Sequence, residues 1–122
     1  MISVTKHWAS HWASKFRFAL CGLLKSVRTQ SSFWVHVPAA IAVICIGGWL
    51  KIGLWQWSAV AIAITTVLAA ELFNTAMEQL VSVLHPDQDE RIGHALDAAA
   101  AAVLVTSIGA AVVGMLVLAS SL

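Results

Sequence analysis

The sequence predicts an all-α integral membrane protein, with three transmembrane helices preceded by an amphipathic helix on the membrane surface. Three observations carry that expectation. Of the 122 residues, 60% are hydrophobic and only 11% charged, and the mean hydropathy is +0.85, far more apolar than a soluble domain. Three long runs approach the roughly 20 apolar residues that a bilayer-spanning helix needs. The charges are also segregated: Lys6, Lys15, Arg17, Lys25 and Arg28 precede the first run, and all six acids lie between Glu71 and Asp97.

Residues 1–13 carry no firm pattern beyond His7, Trp8, His11 and Trp12, which could share one face of a short interfacial helix or lie in a disordered segment. From 14 to 28, Phe16, Leu20, Leu23, Leu24 and Val27 recur near helical spacing among Lys15, Arg17, Lys25 and Arg28, as in an amphipathic helix on the inner leaflet. A plain basic flank for the first span is the simpler reading of the same residues. The start of the chain lacks the apolar core and small-residue cleavage site of a secretory signal peptide, so the first span is expected to direct insertion.

The spans are expected at about 35–50, 54–84 and 95–119. Pro38 falls in the first turn of the first span, where a missing backbone donor does little harm. Trp49, Trp55 and Trp57 bracket the short loop at Lys51 as an aromatic belt would. The second helix should run past the membrane edge to about Leu84, where His85-Pro86 stops it. Asp87 with Glu90 has the form of a helix-start box, and Asp89 is an alternative cap. The third helix opens on Ala98 to Ala102 and continues through Gly109 and Gly114, small residues that admit a close helix neighbour. Cys21 and Cys45 fall in different segments and read as packing residues rather than a disulfide.

The basic flank places the N-terminal segment and the loop around His85 on the cytoplasmic side, with the Lys51 loop outside. A net charge of +1 argues against a nucleic-acid partner. No repeat and no soluble domain is visible, so residues 1–122 read as one membrane unit. Three spans enclose a polar site poorly, which points to completion by neighbouring subunits.

Between Lys51 and Glu71 there is no charged side chain, and then Glu71-Leu-Phe-Asn-Thr-Ala-Met-Glu78 brings two carboxylates and an amide together. Acids at the end of an apolar helix are costly unless they face a wet or protein-lined site. Seven residues apart, Glu71 and Glu78 are nearly aligned and separated by about 10 Å along the axis, with Asn74 between them. Glu78, nearer water, suits a divalent cation with phosphate oxygens, and Glu71, nearer the membrane, suits taking a proton from a lipid hydroxyl. Asp97 is the other acid placed to join them. Residue types alone balance a catalytic cluster evenly against the two other readings together, an ion or proton pathway or a structural hydrogen-bond knot. His36, just inside the first span, reads as a satisfied polar contact, and His85 and His94 lack zinc-site spacing.

The Glu71 to Glu78 run, Gly93-His-Ala-Leu-Asp97 with the Ala-rich helix after it, and more weakly residues 16–36 resemble the prokaryotic integral-membrane diacylglycerol kinase family, which includes the undecaprenol kinases. The resemblance covers nearly the whole chain from Ser14 onward. It implies a homotrimer with shared active sites in the bacterial inner membrane, transferring the terminal phosphate of MgATP to a lipid alcohol at the cytoplasmic face. Carried over by position, it implies that Glu71 is the general base and Asn74 the amide of the motif. It implies Glu78, Gln30 and Asp97 as metal ligands, and Glu78, Asp97, Arg17 and Gln30 as the nucleotide site. The family commonly has Glu where this chain has Gln30, and a phosphate-contacting Lys where it has Leu96, with Arg91 or His94 as candidate substitutes for that cation. A divergent, weakly active member and a small proton-coupled transporter are the competing readings. The transporter is disfavoured because its carboxylate would be expected near the bilayer midplane.

Overall fold

The computed structural model describes residues 2–122, with side chains from Val4 onward. It is all helical: α1 (Ile2–Thr29), α2 (Phe33–Leu50), α3 (Leu54–Leu84) and α4 (Glu90–Ser120). The last three are each long and apolar enough to cross a membrane. The chain divides into two compact units, one ending at Gln30 and the other Ser31–Leu122.

In the first unit, a single helix runs through the stretch around Trp8 and Trp12, where the sequence offers a short interfacial helix or a disordered segment, and continues to Thr29. Local contacts support it there: the Ser10 hydroxyl donates to the His7 carbonyl at 3.0 Å, and the Lys15 ammonium lies 5.2 Å from the Trp12 ring. Met1, at the head of the segment 1–13, lies outside the described residues.

In the second unit, the Ser31 and Ser32 carbonyls accept from Trp34, Val35 and His36, so α2 begins before Val35. Pro38 therefore sits in the second turn rather than the first, and the Trp34 carbonyl loses its intrahelical donor. Lys51 ends α2 in the left-handed region at φ 55°, its N–H turned back on the Gly47 and Gly48 carbonyls. That reversal brings Ile52 and Trp57 against α2 so closely that a Cβ on Gly47 would meet them at 3.0 and 3.1 Å.

Helix α3 packs chiefly on α4 and less on α2. Ile52, Val60 and Val117 form a buried cluster between them. Inside the spans, hydroxyls bond back onto their own helix, as Thr66 does to the Ile62 carbonyl at 2.6 Å and Thr106 to the Ala102 carbonyl at 2.9 Å. Gln56 ties the far ends together: its side-chain oxygen accepts from the Gly53 N–H at 2.7 Å, and its amide nitrogen donates to Ser120 and Ser121 at 3.0 and 2.9 Å.

Pro86, which has no N–H, follows the last residues of α3, and the His85 N–H makes its final turn with the Val81 carbonyl. Asp89, not Asp87, caps α4, its carboxylate accepting from the Arg91 N–H at 2.9 Å. Two packing expectations differ from what the protomer shows. A Cβ on Gly109 or Gly114 would meet nothing within 4 Å, because both face outward or into a gap rather than onto a helix. Cys21 and Cys45 are free and exposed, each within its own unit.

Candidate functional site

The polar cluster, Glu71 to Glu78, occupies about two turns of α3 and ends within two turns of its C-terminus at Leu84. Its three residues fall on one broad face, as their spacing requires, but their surroundings differ steeply. Glu71 is only 2% exposed, Asn74 is half-buried, and Glu78 is exposed. Burial thus falls along the helix from the carboxylate in the protein to the one in water.

Each acid has its own partner. Glu71 meets the His36 imidazole of α2, Nε2 to Oε1 at 3.0 Å. Glu78 accepts a hydrogen bond from the Asn74 amide at 3.1 Å, so Asn74 pairs with the outer acid rather than the inner one. The other amide atom, Asn74 Oδ1, is buried without a partner. A buried unsatisfied acceptor is uncommon and invites a donor from a ligand or a neighbouring chain.

Past α3, a cleft of about 690 Å³ opens at the turn to α4, lined by Ser82, His85, Asp87, Asp89, Glu90 and Leu96 among others. No Lys or Arg lines it. On its own this acidic cleft is a poor host for phosphate, which is bound through Lys, Arg, backbone N–H groups or a metal. Leu96 is the position where the resemblance expects a cation. Arg91 stands nearby at the start of α4, 93% exposed and 3.7 Å from Asp89. Asp97 is exposed one residue after Leu96. Arg17 lies on α1 and Gln30 directly follows it.

Among the described residues, no group of three His, Cys, Asp or Glu side chains converges on a metal position. Glu78 is a single exposed carboxylate with one oxygen engaged by Asn74. That donor set still fits Mg2+, which commonly takes one or two carboxylates and completes its octahedron with water and substrate phosphates.

On the membrane side of Glu71 lies a cavity of about 170 Å³ between α2, α3 and α4, lined by His36, Val67, Leu68, Ser107, Ala110 and Gly114 among others. The Ser107 hydroxyl is buried there without a partner. Sequence reasoning passed over Ser107. The signal was present, since Thr106-Ser107 is a polar pair inside an otherwise apolar run.

Fold and site together describe a small all-helical chain with three helices long and apolar enough to cross a membrane and acids toward one end of one of them. The sequence profile of the prokaryotic diacylglycerol kinases matches residues 17–118, and the chain belongs to that family. It is similar to the undecaprenol kinase of Bacillus subtilis, 30% identical over 96 residues that cover 79% of this chain and 78% of that one. It is also similar to the diacylglycerol kinase of Synechocystis sp., 33% identical over 100 residues, where it spans 57% of the relative's length. No solved structure matches the chain. Both relatives are kinases, and the chain is a lipid kinase of this family.

Proposed function

We propose that the protein transfers the terminal phosphate of MgATP to a membrane lipid alcohol, diacylglycerol or undecaprenol, at the cytoplasmic face of the bacterial inner membrane. The observation that carries this reading is the burial gradient along α3, from Glu71 at 2% exposure to the exposed Glu78. It supports one carboxylate for a substrate in the membrane and one for a substrate in water.

Glu71 takes the proton of the lipid hydroxyl as the hydroxyl oxygen bonds to the terminal phosphorus and the bond from that phosphorus to the bridging oxygen breaks, so that ADP leaves. Asn74 orients the Glu78 carboxylate through their hydrogen bond, and its unpartnered oxygen is available to a donor on the nucleotide or on a neighbouring protomer. Glu78, Gln30 and Asp97 would hold the metal, and the resemblance adds Arg17 to the nucleotide site. When bound, Mg2+ neutralises charge on the phosphates during an in-line displacement. Arg91, exposed and only loosely paired, is the residue best suited to supply the charge that Leu96 lacks. A homotrimer would bring these groups together across protomers and cover the apolar faces left open in one chain, and α1 would lie along the inner leaflet.

The test is transfer of labelled terminal phosphate from MgATP to a panel of lipids containing diacylglycerol and undecaprenol, in mixed micelles, with Glu78→Ala as control. Labelled lipid that disappears in the variant supports the reading and names the acceptor. Absence of transfer to any lipid from a protein that still assembles would overturn it.

A further inference from the structure

We propose that His36 is a positioning residue for Glu71: its Nε2 holds one carboxylate oxygen so that the other is presented to the acceptor hydroxyl. The inference rests on the reading of Glu71 as general base and adds the group that aims it.

Glu71 is among the largest fully buried side chains of the protein. A buried carboxylate without a donor is strongly disfavoured, and its rotamer is then set by whichever donor it finds. Among the described residues, the His36 imidazole at 3.0 Å is the one side chain that makes a polar contact with it. The contact crosses from α2 to α3, so it fixes the carboxylate relative to a second helix and not merely along its own.

The backbone that carries the imidazole is held on both sides. Phe33, one turn earlier, is completely buried, and Pro38, two residues later, locks its own φ within α2. The ring itself is 23% exposed and lines the cavity between the three helices. His36 thus stands between the carboxylate and the apolar space beside it, where a lipid alcohol's first carbons would lie when its hydroxyl reaches Glu71. A bond to one oxygen leaves the second free, which is the geometry a base needs to meet a hydroxyl within hydrogen-bond reach. Misplacing a catalytic group by about 1 Å can cost on the order of 100-fold in rate.

The experiment compares His36→Phe, which keeps ring volume without a donor, with His36→Gln, which keeps a donor of similar reach, and uses Glu71→Gln and Glu71→Asp as references. Labelled phosphate transfer to lipid is measured as kcat and KM for each substrate. The expected result is a fall in kcat of about 10- to 100-fold in His36→Phe, with both KM values unchanged, and recovery of most of it in His36→Gln. In the Glu71→Asp background, which withdraws the carboxylate by one methylene, His36→Phe should cost little more, because coupled groups are not additive. Should His36→Phe fail to assemble, His36→Leu replaces it in the same series.

Wild-type kcat in His36→Phe beside an inactive Glu71→Gln would overturn the positioning role and leave the base intact. Equal losses in His36→Phe and His36→Gln, or losses that multiply with Glu71→Asp, would make His36 a packing residue. Full turnover in Glu71→Gln would remove the base itself, and the positioning role with it.

Discussion

At one end of α3, Gln56 spends both ends of its amide inside the protein, accepting from Gly53 and donating to Ser120 and Ser121. About 22 Å further along the same helix, at 1.5 Å per residue, Glu71 has His36 as its one polar side-chain partner among the described residues, and Asn74 keeps a buried oxygen with no donor among them. Both regions place polar groups at the edge of an apolar helix bundle. The first satisfies them and closes, tying the end of α4 to the start of α3. The second leaves capacity unused and opens toward the charged loop. Polar groups that hold a fold are saturated by it, whereas polar groups kept for a ligand are not.

The sharpest way to break that contrast acts on the open end. Glu78→Gln retains an acceptor for Asn74 and removes only the charge, so phosphate transfer should fall by about 100- to 1,000-fold, in line with losing one electrostatic partner of a reacting group. Measured KM for Mg2+ should rise in the same variant. A smaller effect of opposite sign is expected from Leu96→Lys, which puts a cation back into the acidic cleft. Transfer should increase by about 10-fold if phosphate charge limits the rate, as read in initial velocities at saturating lipid.

The closed end should answer in stability instead. Gln56→Leu strands the Gly53 N–H and cuts the ties to Ser120 and Ser121, whose hydroxyls keep their bonds to the Val117 carbonyl, at a cost of about 1–3 kcal/mol, seen as a lower Tm in detergent with kcat preserved. The smallest effect belongs to Gly47→Ala, whose Cβ would press on Ile52 and Trp57 at 3.0 and 3.1 Å. Because those contacts are flexible side-chain ends, a loss of about 1 kcal/mol is expected, again in Tm alone.

Much of this architecture is legible in the residues. Nineteen-residue gaps between charges, such as that from Lys51 to Glu71, have few outcomes other than a membrane-crossing helix. The seven-residue step from Glu71 to Glu78 aligns the acids in any helix. Contacts between helices are another matter. His36 and Glu71 meet only because α2 and α3 reach a particular register, and Gln56 finds partners 61 to 65 residues away, distances over which periodicity says nothing. Spacing favours Asp87 with Glu90 as the helix-start box and leaves Asp89 second, and backbone geometry at the α3 to α4 turn selects Asp89 instead. The helix through Trp8 and Trp12 is foreshadowed by His7, Trp8, His11 and Trp12 at helical spacing, but the residues between them add no further periodic apolar positions that would join it to the helix after Ser14.

The central claim is that the two ends of α3 divide activity from stability. It is tested most directly by measuring lipid phosphorylation and Tm side by side for Glu71→Gln and Gln56→Leu. Glu71→Gln should lose turnover by about 100- to 10,000-fold, the range for a general base, while keeping the wild-type Tm, and Gln56→Leu should do the reverse. Wild-type turnover in Glu71→Gln, or loss of turnover in a folded Gln56→Leu, would contradict it.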